Sequence, residues 1–151
     1  MTRNLLLLAH IASVAAWLGA NILQLVVGPR LRARGGDAAR AWAETGEFLG
    51  KRYYNVVGGL VAITGIGLVF HGHWEWRGFV LVGIAMVIVG GITGIVGFDR
   101  LFKQEVAART AGDEVTAKRA THNITSLALM DTFLLLLTML TMIDKWKGAI
   151  S

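Results

Sequence analysis

The chain of 151 residues has no cysteine and a single proline, Pro29. Without cysteine it can form no disulfide, no thiolate metal site and no cysteine-ligated iron–sulfur cluster. Its sequence also lacks a nucleophile motif, a phosphate-binding loop and paired carboxylates at catalytic spacing. The sequence therefore indicates no catalytic residue and leaves open whether the protein is an enzyme.

Apolar residues are abundant, at 54% of the chain, and they fall into four long blocks at about 4–27, 54–70, 78–98 and 124–143. A helix that spans a bilayer needs about 20 mainly apolar residues. The sequence therefore predicts an all-α integral membrane protein with a single domain over residues 1–151. Its architecture is expected to be an antiparallel up-down four-helix bundle, with spans at about 4–28, 54–73, 78–98 and 122–143.

Positive charge is concentrated at one end of the predicted bundle. Eleven of the fifteen lysines and arginines lie in the two long connections, 30–52 and 99–121. By the positive-inside rule these connections are predicted to be cytoplasmic, which places both termini on the outer side. The net charge of +5 then reflects topology and anionic lipid, and no nucleic-acid partner is expected.

Both long connections are rich in helix-forming residues, so they are predicted to continue as helix, with breaks at Gly35–Gly36 and at 111–113. Glycines recur every seven residues on the two middle spans, at Gly58, Gly65 and Gly72, and at Gly83, Gly90 and Gly97. Such small residues let helix backbones approach closely, which predicts a tight hairpin of spans two and three. In the alternative interpretation, one glycine face forms a homodimer or joins a larger membrane complex.

Asp131 is a carboxylate within the apolar run of the fourth span. Its insertion costs roughly 2.5–3.5 kcal/mol, so such a residue usually faces the bundle interior and has a partner. Polar residues share one face of the first span, at His10, Ser13, Trp17, Asn21 and Gln24. Trp17 and Asn21 lie at the depth of Asp131 and are its expected donors. Asp131 is either a hydrogen-bonded neutral acid that joins helices or a group that carries a proton or pairs with a cation.

His10, His71 and His73 all fall toward the outer side of the predicted bundle, as does Met142. Neutral imidazole binds haem iron, copper and zinc. These four residues are therefore candidate metal ligands, and Trp17, Asn21 and Asp131 join His10 as candidate cofactor-binding residues. The alternative is structural: interfacial histidines, a core histidine at position 10, and a methionine that fills a gap.

The run AHIASVAAWLGANILQLVVGPRL resembles the first helix of bacterial four-helix membrane domains of the copper-resistance D (CopD) type. It also resembles HemJ-type protoporphyrinogen oxidases and related integral membrane domains of unknown function. The shared pattern is His10, then Trp17–Leu18–Gly19, then Pro29–Arg30–Leu31, followed by Lys51–Arg52 and Thr64–Gly65. The resemblance implies haem b at His10, as in the HemJ type, or copper passage, as in the CopD type. Arg77 stands where the HemJ type has a lysine.

These observations predict a small multi-pass protein of the bacterial cytoplasmic (inner) membrane with a polar intramembrane site. The expected function is to bind haem b, or a metal such as copper, for redox chemistry or metal handling. Two alternatives stay open. One is a scaffold or accessory subunit without a cofactor, and the other is a small proton-coupled transporter in which Asp131 titrates.

Overall fold

The computed structural model describes residues 1–72 and 77–144, which form four long helices. Each is long and apolar enough to cross a membrane, and the described residues contain no strand. The helices are α1 at Thr2–Ala33, α2 at Gly36–Gly72, α3 at Gly78–Thr110 and α4 at Glu114–Asp144. The predicted all-α fold with four potential spans is thus confirmed.

Three glycines with positive φ separate the helices at one end of the bundle: Gly35 at 68°, Gly36 at 50° and Gly112 at 72°. Residues with a side chain rarely adopt this backbone conformation, so glycine ends a helix there at little cost. The breaks lie where the sequence predicts them, and the connections on either side are helical. We call the part formed by residues 30–53 and 98–121 the basic end.

The two middle helices each contain a π-helical turn, at Leu49–Tyr53 in α2 and at Thr93–Phe98 in α3. The turns meet across the bundle, because a Cβ atom at Gly50 would lie 3.7 Å from the backbone nitrogen of Asp99. Beyond these turns α2 and α3 continue into the basic end. The π-helical turns therefore mark the boundary between the apolar spans and the charged helical extensions.

The predicted tight contact between the glycine faces of α2 and α3 is wrong. A Cβ atom at Gly90 would lie 2.5 Å from the ring of Trp17, on α1. Equivalent atoms at Gly83 and Gly97 would lie 2.9 Å and 2.7 Å from side chains of α4, those of Met142 and Leu127 respectively. These three glycines of α3 therefore make room for large side chains from α1 and α4, while α2 packs most extensively against α1.

The core has two parts. Within the spans it is formed by Trp17, Ala20, Tyr54, Val57, Val61, Met86 and Leu135. Near the basic end it consists of Phe98, Phe102, Ile124 and Ala128. Tyr54 stacks on Phe98 with ring centroids 5.8 Å apart, and Phe98 stacks on Phe102 at 6.1 Å, so aromatic rings join the two parts. Many large apolar side chains of the spans are exposed, as expected where the surroundings are lipid.

Candidate functional site

Asp131 of α4 lies in the bundle interior, with only 2% of its surface exposed. The indole Nε1 of Trp17 donates a hydrogen bond to its Oδ2 atom at 2.9 Å, and the Nδ2 of Asn21 donates to the same oxygen at 2.7 Å. Both donors are the ones that the polar face of α1 predicts. The partners are a neutral indole and a neutral amide, so the site pairs a buried acid with donors rather than with a cation.

Tyr54 of α2 extends this network. Its hydroxyl donates to the Oδ1 of Asn21 at 2.8 Å, so the amide of Asn21 is engaged on both sides and its orientation is fixed. Tyr54 also meets Trp17 edge to face, with ring centroids 6.4 Å apart. The network therefore joins α1, α2 and α4 around one carboxyl group. The sequence analysis missed Tyr54, although its place at the start of span two puts it at the depth of Asn21.

His10 lies between α1 and α2, with its Nδ1 3.0 Å from the Oγ1 of Thr64. The Thr64 hydroxyl donates its single proton to the backbone carbonyl of Leu60, one turn earlier. If the Nδ1 of His10 carries the hydrogen, this hydroxyl accepts it. The Nε2 of a neutral His10 is then left with a lone pair. Gly65 allows this approach, since a Cβ atom there would lie 3.3 Å from the His10 ring.

The other candidate ligands are spread along the bundle. His71 is exposed near the end of α2, seven residues beyond Thr64 and therefore about 10 Å further along the helix. Met142 packs toward Gly83 of α3. His73 lies outside the described residues. Within 1–72 and 77–144 there is no group of three or more His, Cys, Asp or Glu side chains that could hold a metal ion.

A second buried polar cluster, missed by the sequence analysis, lies at the basic end. Glu105 of α3 is fully buried, and Arg32 of α1 donates to it from Nε and Nη2, both at 2.7 Å. Arg109 donates to Oε1 at 3.0 Å and 2.9 Å, and the hydroxyl of Thr121 donates at 3.0 Å. Burial alone would raise the pKa of the Glu105 carboxyl, but these donors and positive charges outweigh it and hold the pKa below its usual value.

A half-open cleft of about 240 Å³ separates α2 from α3 beside the Asp131 network. Trp17 and Tyr54 contribute to its wall, and the rest of its lining consists mainly of small residues, namely Gly58, Gly59, Ala62, Gly90, Gly91 and Gly94. Side chains on α2 and α3 leave this space unfilled because most of these positions are glycine. Two of the six glycines that the sequence assigned to a tight hairpin, Gly58 and Gly90, thus line a cleft.

No protein-family model, curated protein or solved structure matches the chain. Two features within the apolar helices bear on its function: the Asp131 network and the hydrogen bond between His10 and Thr64.

Proposed function

We propose that the protein is a small integral membrane protein that binds haem b, or a metal such as copper, through His10, for redox chemistry or metal handling. The observation that supports this most is the hydrogen bond between His10 Nδ1 and Thr64. Histidines that ligate metals usually donate their other ring N–H to an oxygen, which fixes the tautomer and the ring orientation. The resemblance of the first helix to CopD-type and HemJ-type domains points to the same residue.

The donor set fits haem better than a bare metal ion. Haem iron can be held by one protein imidazole, and when bound it supplies one-electron redox chemistry. A copper or zinc ion needs several protein ligands, and the described residues provide no cluster of three such groups. In this proposal His10 supplies Nε2 and Thr64 orients the ring. The Asp131 network lies about two helical turns further along α1, toward the basic end.

The proposal predicts that detergent-purified protein shows a Soret absorption band that shifts on reduction. His10→Ala is expected to abolish the band. Thr64→Val keeps the shape but removes the acceptor, and it should weaken haem binding by roughly 10–100-fold. His122→Ala is the matched control, because His122 is exposed on α4 next to the basic end. Stoichiometric haem or copper retained in His10→Ala would rule out this role for His10.

A scaffold or accessory subunit is the second candidate, and the glycine-lined cleft favours it. Small residues on exposed helix faces allow another helix to approach closely. Gly59 and Gly91 both line the cleft, and a Cβ atom at either position would have no neighbour within 4 Å. A colourless, metal-free protein that forms a stable homodimer or a larger membrane complex would support this function over haem binding.

For the topology, we propose that the basic end is cytoplasmic and that both termini lie outside, in the bacterial cytoplasmic (inner) membrane. The distribution of lysine and arginine supports this orientation, with eleven of fifteen at the basic end. The helical form of the basic end does not alter that argument, because the rule concerns charge near the ends of the spans.

The absence of native cysteine makes the orientation directly testable. Single cysteines introduced by Thr2→Cys and Ser151→Cys are expected to react with an impermeant thiol reagent in intact cells. Ala111→Cys, in the exposed break between α3 and α4, is expected to react only after the cells are permeabilised. The reverse pattern of labelling would place the basic end outside and overturn the assignment.

A further inference from the structure

The half-open cleft between α2 and α3 has the ring of Trp17 at its base and glycines in its walls. A Cβ atom at Gly90 would lie 2.5 Å from that ring, and one at Gly58 would lie 3.7 Å from it. Equivalent atoms at Gly59 and Gly91 would meet nothing within 4 Å. The cleft is therefore a hollow in the apolar surface of the spans, and it reaches inward as far as an indole of the Asp131 network.

One end of the cleft is charged. A smaller space of about 110 Å³ is lined by Gly50, Lys51, Asn55 and Asp99, and Asn55 lines the cleft as well. These residues lie in the π-helical turns or within two residues of them, so this space lies where the apolar spans end and the basic end begins. We call it the charged mouth. From Asn55 to Ala62 the cleft follows α2 for about 10 Å.

Positive charge is in excess around the charged mouth. The Nζ of Lys103 donates to the Oδ2 of Asp99 at 2.6 Å, and Glu47 also attracts this lysine. Three exposed cationic side chains near the two turns take part in none of the ion pairs among the described residues, namely Lys51, Arg52 and Arg100. The charge of the mouth therefore complements an anionic group.

The shape of the cleft favours an acyl chain over a helix. In a bilayer an empty hollow loses dispersion contacts, so part of another molecule is expected to fill it. A helix with its side chains is about 10–12 Å across, so it can lie over a cleft of about 240 Å³ but cannot enter it. An acyl chain is one methylene group wide along its whole length, and it can follow the glycine walls down to Trp17.

We propose that the cleft is the binding site of one anionic phospholipid, such as phosphatidylglycerol. An acyl chain lies between the glycine walls against Trp17 and Tyr54, and the phosphate lies at the charged mouth within reach of Lys51. The depth agrees with this placement, because the charged mouth lies at the end of the apolar spans, where the phosphates of a bilayer also lie. The site does not include His10, so lipid binding is independent of haem binding.

Native mass spectrometry of delipidated protein, titrated with phosphatidylglycerol, tests the proposal, and we expect one bound lipid per chain. Gly91→Leu puts a side chain into the cleft and should weaken this binding by roughly tenfold or more. Gly59→Leu should do the same from α2. Gly19→Leu is the matched control, since a Cβ atom there would also meet nothing within 4 Å and Gly19 does not line the cleft.

The head group is tested separately. Lys51→Gln should weaken phosphatidylglycerol binding by roughly fivefold, because one cation near the membrane surface is lost. Lys118→Gln removes an exposed lysine of α4 that does not line the charged mouth, and it should leave binding unchanged. Phosphatidylcholine with the same chains has no net charge and should bind more weakly to the unaltered protein. Lys51→Gln should reduce the difference between the two lipids.

Equal affinities of Gly91→Leu and Gly19→Leu for phosphatidylglycerol would overturn the cleft as the binding site, provided that both keep the unfolding midpoint of the unaltered protein. If Gly91→Leu does not fold, the same comparison is made with Gly59→Leu. Equal binding of the two lipids would show that the charged mouth does not select an anion. A homodimer that Gly91→Leu dissociates, without any bound lipid in the unaltered protein, would mean that a second copy covers the cleft and would also overturn the proposal.

Discussion

Replacing Glu105 with leucine is expected to lower the free energy of unfolding by about 3–5 kcal/mol. The change leaves the guanidinium groups of Arg32 and Arg109 without their shared carboxylate, and their side chains are only 5% and 10% exposed. Thermal or denaturant unfolding in detergent measures the loss. The control is Glu44→Leu, which breaks an exposed ion pair with Arg40 and should cost about 0.3–0.5 kcal/mol.

Acid should produce the same effect in the unaltered protein. Because interactions with the two arginines hold the folded-state pKa of Glu105 below its usual value, the carboxylate stabilises the fold above the unfolded pKa of about 4.3. This contribution is lost as the pH falls through the lower folded-state pKa. Glu105→Leu should therefore show a weaker dependence of its unfolding midpoint on acid pH. Equal midpoints for Glu105→Leu and Glu44→Leu near pH 7 would contradict a structural role for the buried cluster.

Asp131→Leu is expected to be the second damaging substitution, at about 2–6 kcal/mol. It removes the acceptor of two buried donors, the Nε1 of Trp17 and the Nδ2 of Asn21, and each unpaired donor costs roughly 1–3 kcal/mol. Asp131→Asn keeps the shape and one acceptor oxygen, so it should unfold close to the unaltered protein. If the leucine and asparagine variants proved equally stable, the hydrogen bonds would contribute little to folding.

The protonation state of Asp131 distinguishes its structural interpretation, a neutral acid that joins helices, from its functional one. Its partners are neutral and it is buried among apolar side chains, so we expect a protonated carboxyl group at pH 7. Infrared spectroscopy should show a protonated carboxyl band that is missing from Asp131→Asn. A carboxylate band in its place would indicate a cation beside the network, such as a bound metal ion or a basic residue of a partner.

The polar network around Asp131 was largely predictable because two independent rules place the same residues together. Helical spacing places Trp17 and Asn21 on one face, and the length of a bilayer span fixes the depth of Asp131 relative to them. The breaks at Gly35–Gly36 and around Gly112 were predictable for a local reason, the positive φ that glycine tolerates. Neither rule identifies Tyr54, whose approach to Asn21 depends on how α2 packs against α1.

The Glu105 cluster shows what sequence reasoning misses. A helix rich in Lys, Arg and Glu outside the apolar spans is ordinarily solvated. Glu105 is buried because α2 and α4 pack against α3 at the basic end and Arg32 of α1 reaches the carboxylate. A signal was present, because Phe102, Glu105 and Arg109 share one helical face. The predicted contact between the glycine faces of α2 and α3 was wrong for a related reason. Seven-residue spacing shows that they share a face but not which side chain fills it, and at Gly90 it is Trp17.

The aromatic stack at the boundary of the basic end has a consequence for the response of the bundle to membrane thickness. Helices accommodate a bilayer that is too thin or too thick by tilting or by kinking. The π-helical turns of α2 and α3 are natural places to kink, but Tyr54 and Phe98 stack across them with ring planes 3° apart. A kink would slide these rings off each other and off Phe102. Hydrophobic mismatch should therefore tilt the four helices together as one rigid body.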